Sequence, residues 1–253
     1  MALITDPLFY AAAIPALLIT GISKAGFGSG LGILAVPLIA LTVPASQAAA
    51  IMLPILCAMD LAALRAYRGL WSRENMKIML PGGIAGIVLG ALTFRYVSES
   101  GLKLMLGAVS IGFLLQRWLA IASNAKDAKP TQGRGYFWSA LSGYTSTLAH
   151  AGGPPLSIYL LPQRMDKALL VGTTVVFFTV MNYIKLFPYA LLGLFDGRNL
   201  ATSAALVPLG VLGIYCGVWL RKIIPEVPFY RLCYAFLFVT GVKLLYDGIT
   251  KLI

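Results

Sequence analysis

An all-α integral membrane fold follows from three features of the 253-residue sequence. Hydrophobic residues make up 59% of it, charged residues only 11%, and the apolar residues fall in long runs parted by short basic loops. An ordinary soluble domain carries about 25% charged residues, so this composition cannot cover a water-facing surface. A bilayer span needs about 20 apolar residues, and several such runs are present. The net charge of +11 would suit a nucleic-acid partner if it were gathered in one stripe. The Lys and Arg instead flank apolar runs, which is membrane anchoring, so the partner expected is the lipid bilayer and not nucleic acid.

The apolar segments run at about 8–22, 28–42, 46–64, 78–94 and 102–116, and then at 135–149, 154–162, 168–194, 199–220 and 229–250. The first is preceded by Asp6 where a signal peptide would carry Lys or Arg, so it is expected to be retained. The two sets of five are parted by RWLAIASNAKDAKPTQGRG, the most polar stretch of the chain. This divides the chain into a first membrane repeat at 1–122, a cytoplasmic linker at 123–134 and a second membrane repeat at 135–253. The halves align as diverged copies: a shift of 125 superposes Gly28 on Gly153, Pro37 on Pro162 and Asp60 on Lys185, and a shift of 127 superposes Pro81, Gly86 and Gly90 on Pro208, Gly213 and Gly217. Order is kept and the offset is nearly constant, which favours an internal repeat over chance agreement among Gly- and Pro-rich apolar stretches.

The segments at 8–22 and 28–42 are short, since 15 residues of helix rise only about 22 Å against a hydrocarbon core of about 30 Å. Each such pair is read as a hairpin, re-entrant or of short helices, followed by three spans. With re-entrant hairpins the basic residues divide 13 to 4 between the two sides, whereas one broken span per pair would divide them 10 to 7. The positive-inside rule prefers the first arrangement. Three crossings per half turn the second copy upside down, so the repeats are inverted, both termini lie outside the cytoplasm and the hairpins enter from opposite faces. The compartment expected is the cell inner membrane.

The hairpin tips read Ser23-Lys24-Ala25-Gly26-Phe27-Gly28-Ser29-Gly30 and Ala149-His150-Ala151-Gly152-Gly153-Pro154-Pro155. Glycine turns that open a helix leave N–H groups free at the positive dipole end, which suits an anion; close packing through small residues is the competing reading. The Gly82, Gly86 and Gly90 ladder, with Gly213 and Gly217, is read as packing. Lys24 lies between apolar stretches, where an ammonium needs an anion, a carboxylate or water, or else snorkels from a shallow tip. His150, the one His of the chain, either donates to an anion or relays a proton, or is structural. Asp60 and Lys185 are ionisable residues deep in apolar helices, expected to pair across the repeat axis as a structural salt bridge or a coupling pair. Asn182, three residues before Lys185, shares its helix face.

Enzyme signatures are scarce. Gly30-x-Gly32-x-x-Ala35 fits a dinucleotide fingerprint by letter, but it lies inside an apolar run with no strand before it. GxSxG and HExxH are missing. Cys57, Cys216 and Cys233 stand apart with no CxxC spacing and read as small buried hydrophobes. The expectation is a protein that is not an enzyme and uses no cofactor or metal. The stretches GFGSGLGILAVPLIAL and AHAGGPPLSIYLLP resemble the TauE/SafE sulfite exporters, also called toluene-sulfonate uptake permeases, and the likeness covers nearly the whole chain. Ser29 and Leu31 interrupt the longer glycine run that members often show at the first tip. The resemblance implies transport of a small sulfur-containing or organic anion such as sulfite, sulfoacetate or a sulfonate. The function expected is a secondary anion transporter working by alternating access about the two tips, coupled to a proton or ion. A passive anion channel, or an intramembrane enzyme or assembly subunit, is the alternative.

Overall fold

The computed structural model describes residues 3–27, 31–121, 129–220 and 226–251. Ten α-helices carry the described chain: α1 (Pro7–Ile22), α2 (Ala35–Ile39), α3 (Ala45–Ala66), α4 (Arg73–Phe94), α5 (Glu99–Ile121), α6 (Gln132–Ala149), α7 (Gly153–Leu160), α8 (Lys167–Leu191), α9 (Gly197–Leu220) and α10 (Glu226–Thr250). A π-helical turn, Ser23–Phe27, prolongs α1, and 3₁₀ turns precede α2 and follow α7. Among the described residues there is no strand. Several helix starts are specified locally, because the first N–H groups of a helix need acceptors from outside it. Asp6 accepts from Leu8 N at 2.9 Å with Pro7 at the first position, Ser72 from Asn75 N at 3.2 Å, and Asp166 from Ala168 N at 2.9 Å. The start of α3 follows Pro44 and has no cap of its own. Glu99, from the start of α5, takes that role by accepting from the N–H groups of Ala45 and Ser46 and from the Ser46 hydroxyl.

Six stretches among the described residues are long and apolar enough to cross a bilayer: Pro7–Ala25, Ala45–Ala66, Arg73–Phe94, Lys167–Leu191, Gly197–Leu220 and Cys233–Thr250. The chain is therefore a multi-pass membrane protein, and the caps and cross-links fix the direction of its helices. The starts of α3, α5 and α9 lie together on one face, the near face, where Gln47 Nε2 donates to Asn199 Oδ1 at 2.9 Å and Glu99 caps α3. The starts of α4 and α8 meet on the far face, where Ser72 N donates to Thr173 Oγ1 at 2.9 Å. α10 runs antiparallel to α5, since Gly107 faces Gly241 and Leu245 while Gly248 faces Leu104.

α1 leaves the near face beside α9, with Ile4 N donating to Thr202 Oγ1 at 3.3 Å, and by Gln47 the chain is back at the start of α9. Pro7–Ala25 thus has the length of a span but forms one arm of a hairpin that returns to its own face. The second hairpin enters from the far face, where Gly135 of α6 lies against Ile78 of α4, and Gln163 returns there to exchange two amide hydrogen bonds with Asn75 at 2.9 and 3.2 Å.

Each hairpin packs on a helix of the other half through glycine. A Cβ on Gly86 of α4 would lie 2.0 Å from the Ala140 carbonyl oxygen of α6, and one on Gly21 of α1 would lie 2.7 Å from the Gly213 backbone of α9. Such distances leave no room for a methyl group, and only glycine lets the backbones meet. α1 thus meets α9 much as α6 meets α4.

Candidate functional site

The first hairpin tip is set by its π turn, which places Lys24 beside α3, while Tyr67 at the end of α3 donates its hydroxyl to the Ala25 carbonyl. Lys24 Nζ forms an ion pair with Asp60 Oδ1; its side chain keeps 12% of its exposure, and the Asp60 side chain has none. The other carboxylate oxygen accepts from Asn182 Nδ2 at 2.7 Å. A carboxylate at that depth is tolerable only when both oxygens are satisfied by a cation and donors.

The second tip is built differently. α6 ends on His150, whose backbone is left-handed at φ 52°, and the N–H groups of His150 and Ala151 close the helix on the Ser146 and Thr145 carbonyls at 3.0 and 3.2 Å. The left-handed position thus falls on His150, whereas Gly152 takes ordinary right-handed backbone at φ −77°. Glycine is required at 152 for space, because a Cβ there would lie 2.6 Å from the Ser142 carbonyl oxygen. The hydroxyls of Ser142 and Thr145 donate to the Gly152 and Ala151 carbonyls at 2.7 and 3.1 Å and fasten the turn. Gly152 and Gly153 carry the N–H groups that the first turn of α7 leaves free, and Pro154 and Pro155 have none.

His150 Nε2 lies 2.9 Å from the Ala49 carbonyl. That oxygen can only accept, so Nε2 carries the proton and Nδ1 is left to accept from Lys185 Nζ, 2.9 Å away. Lys185 Nζ also donates to the Ser146 carbonyl at 3.1 Å and the Ser146 hydroxyl at 2.9 Å. It therefore has three neutral partners and sits at the negative end of α6. The direct Asp60–Lys185 pair expected from the repeat positions does not form. Lys24 and Asn182 occupy the Asp60 carboxylate, and the carbonyl end of α6 draws Lys185 away from it.

Between the tips lies a cavity of about 70 Å³ lined by Thr20, Ser23 and Lys24 of the first hairpin, Ser146, His150 and Gly153 of the second, and Thr174, Phe178 and Asn182 of α8. A water needs roughly 10–15 Å³ on such a measure, so a small oxyanion fits. Thr20 Oγ1 and Ser23 Oγ, both in this wall and both buried, have no hydrogen-bond partner. A smaller cavity shares Gly153 and Thr174 with this one and follows α7 and α8 toward the far face. On the near-face side of His150 lies the fully buried Tyr189, donating to the Thr147 carbonyl at 2.7 Å and packed by the rings of Phe94, Phe195 and His150.

Of the residues singled out from sequence, Lys24, His150, Gly153 and Asn182 line this cavity, Asp60 and Lys185 back it through Lys24 and His150, and Gly26 and Gly152 belong to its two turns. Gly28, Ser29 and Gly30 lie outside the described residues. Sequence reading passed over Thr20, Ser23, Ser146 and Thr174. The signal available was a run of hydroxyls on α6, at Ser139, Ser142, Thr145, Ser146 and Thr147, in a segment otherwise fit for lipid. Among the described residues no group of three or more His, Cys, Asp or Glu is placed to hold a metal ion, and the three cysteines are free.

The family model described as "Sulfite exporter TauE/SafE" matches residues 13–244, nearly the whole chain. No curated protein and no solved structure matches.

Proposed function

The chain belongs to the sulfite exporter TauE/SafE family, and from that premise we propose that it is a secondary transporter of a small sulfur-containing or organic anion, held between the two hairpin tips. The observation that carries this reading is the wall of the cavity. It presents the Lys24 ammonium, which keeps part of its exposure beside Asp60, and two buried hydroxyls, Thr20 and Ser23, that have no partner. A small oxyanion supplies acceptors for all three. The N–H groups of Gly152 and Gly153 add to that cradle, and Gly26 belongs to the turn of the other tip. His150 and Asn182 hold the flanking amine and carboxylate in place.

Alternating access fits a cavity with a smaller one beside it on the far-face side and the packed Tyr189 on its near-face side. The halves at 1–122 and 135–253, joined by 123–134, act as inverted repeats that exchange which face is open. The opposed directions of α3 and α8, and of α4 and α9, support this. The 13 to 4 division of basic residues makes the far face cytoplasmic and leaves both termini outside, in the cell inner membrane. Single cysteines placed at Lys129 and at the C-terminus in a cysteine-free background report on it: labelling of both from the cytoplasmic side alone refutes the arrangement.

The function is tested with purified protein in proteoliposomes and labelled sulfite, sulfoacetate and taurine. Saturable flux of an anion that the others compete with is the expected result. Flux linear in concentration means a passive channel, and turnover of substrate in detergent without a gradient means an enzyme.

A further inference from the structure

Apart from the cavity between the tips, an open groove of about 410 Å³ runs along the far-face end of α3, between that helix, Trp71 and Val176 of α8. Its walls are fixed by packing. α3 gives way at Tyr67 to a turn in which Gly69, at φ 79°, takes the left-handed backbone that favours glycine. The turn is seated on α8: a Cβ on Gly172 would lie 1.6 Å from the Leu70 carbonyl oxygen, and Ser72 N donates to Thr173 Oγ1 at 2.9 Å. Trp71 is thereby held beside α8, and Val176, one turn on from Gly172, completes the apolar side.

Two chemistries meet in this groove, at the depth where a span ends. Arg65 and Arg68 both line it and are exposed, and among the described residues neither has an ion-pair or hydrogen-bond partner. A guanidinium stays charged at any working pH, the carbonyl end of α3 offsets only about half a charge, and no carboxylate is among the described residues of the lining. Leu61, four residues before Arg65 and so about 6 Å deeper along α3, is 58% exposed, and the half-buried Leu64 continues that wall. A soluble anion would use the arginines and leave the apolar wall bare. A lipid uses both, with its phosphate on the guanidinium forks, an acyl chain along Leu61, Leu64 and Val176, and Trp71 at the headgroup level where indoles settle. We propose that the groove is a binding site for an anionic phospholipid of the phosphatidylglycerol class. Tyr67 lines the same groove and donates its hydroxyl to the Ala25 carbonyl, so the lipid packs on the residue that braces the first tip. The site stands whatever the protein transports.

The test uses the full chain in mild detergent, freed of bound lipid, and phosphatidylglycerol or phosphatidylcholine with brominated acyl chains, whose bromines quench a tryptophan they touch. The share of quenching that belongs to Trp71, wild type less W71F, should saturate at a lipid fraction at least about tenfold lower for phosphatidylglycerol than for phosphatidylcholine. R65Q/R68Q should erase that preference. K77Q/R95Q, which removes two exposed positive charges elsewhere, should keep it. Should W71F fail to fold, native mass spectrometry decides by the phosphatidylglycerol retained on wild type against R65Q/R68Q, with one lipid kept by the first and none by the second. Equal quenching by the two lipids, a preference that survives R65Q/R68Q, its equal loss in K77Q/R95Q, or equal retention by wild type and R65Q/R68Q overturns the proposal. So does displacement of the lipid by an equal concentration of glycerol 3-phosphate, which would make the groove a site for a soluble phosphate.

Discussion

The two hairpin tips face one cavity and are held in opposite ways. The second is tied by hydroxyls of its own helix, by the Ala49 carbonyl and by Lys185, so that its backbone is fixed and its one titratable ring is neutral. The first, among the described residues, is held by one ion pair and one tyrosine hydroxyl, carries the charge, and is wound as a π turn, a form common at functional sites. A tip built to stay and a tip built to let go is the division of labour expected of a gate and its frame. The comparison predicts which substitutions damage folding and which damage transport alone.

The largest effect is expected at the ion pair. Lys24→Met leaves Asp60 buried without a cation and should cost about 3–5 kcal/mol of stability, seen as an early thermal transition in detergent. The double substitution with Asp60→Asn should recover most of that loss. Anion affinity should stay at least about tenfold weaker in both, about 1.4 kcal/mol by calorimetry, because the charge that binds the anion is gone. Full recovery of affinity in the double variant would make Lys24 a structural residue and erase the contrast between the tips.

Next in size is Lys185→Met in the fixed tip, which takes the donor from His150 Nδ1 and the Ser146 carbonyl. Hydrogen bonds to charged groups are worth about 1.5–3 kcal/mol, and a loss of that order in the midpoint of thermal unfolding is expected. Gly152→Ala comes third. Its methyl would press on the Ser142 carbonyl and should cost about 1–3 kcal/mol, whereas Gly133→Ala, which meets nothing within 4 Å, should be close to neutral by the same assay. The smallest effect is Tyr67→Phe, which removes one hydrogen bond from the first tip, about 1 kcal/mol. If the first tip is the moving one, Tyr67→Phe should change transport rate more than stability, and Thr145→Val in the second tip should do the reverse. Equal ratios in the two variants would break the comparison.

The helices were legible because their signals are local. Runs expected at 46–64 and 168–194 fold as Ala45–Ala66 and Lys167–Leu191, since a length of apolar sequence and a capping residue decide a span almost unaided. The partner of Asp60 was not legible. Repeat symmetry put Lys185 opposite it, but which cation reaches a carboxylate depends on how far a hairpin tip penetrates and where the carbonyl end of another helix falls. Neither is written in hydropathy. The hydroxyls of Thr20 and Ser23 were hidden for a related reason: in a membrane helix Ser and Thr commonly bond back to their own turn, and only the fold shows that these two do not.

The seating of α1 against α9 also sets a timetable for synthesis. Ile4 and Thr202, joined by a hydrogen bond, lie 198 residues apart. At roughly 5–20 residues per second a ribosome needs about 10–40 s to cover that interval, and during it the first hairpin has been made while the helix it leans on has not. Its glycine face lacks the surface it packs on until α9 arrives. Nascent chains stalled before Gly197 should therefore expose the 7–27 segment to protease, and chains extended past Leu220 should protect it.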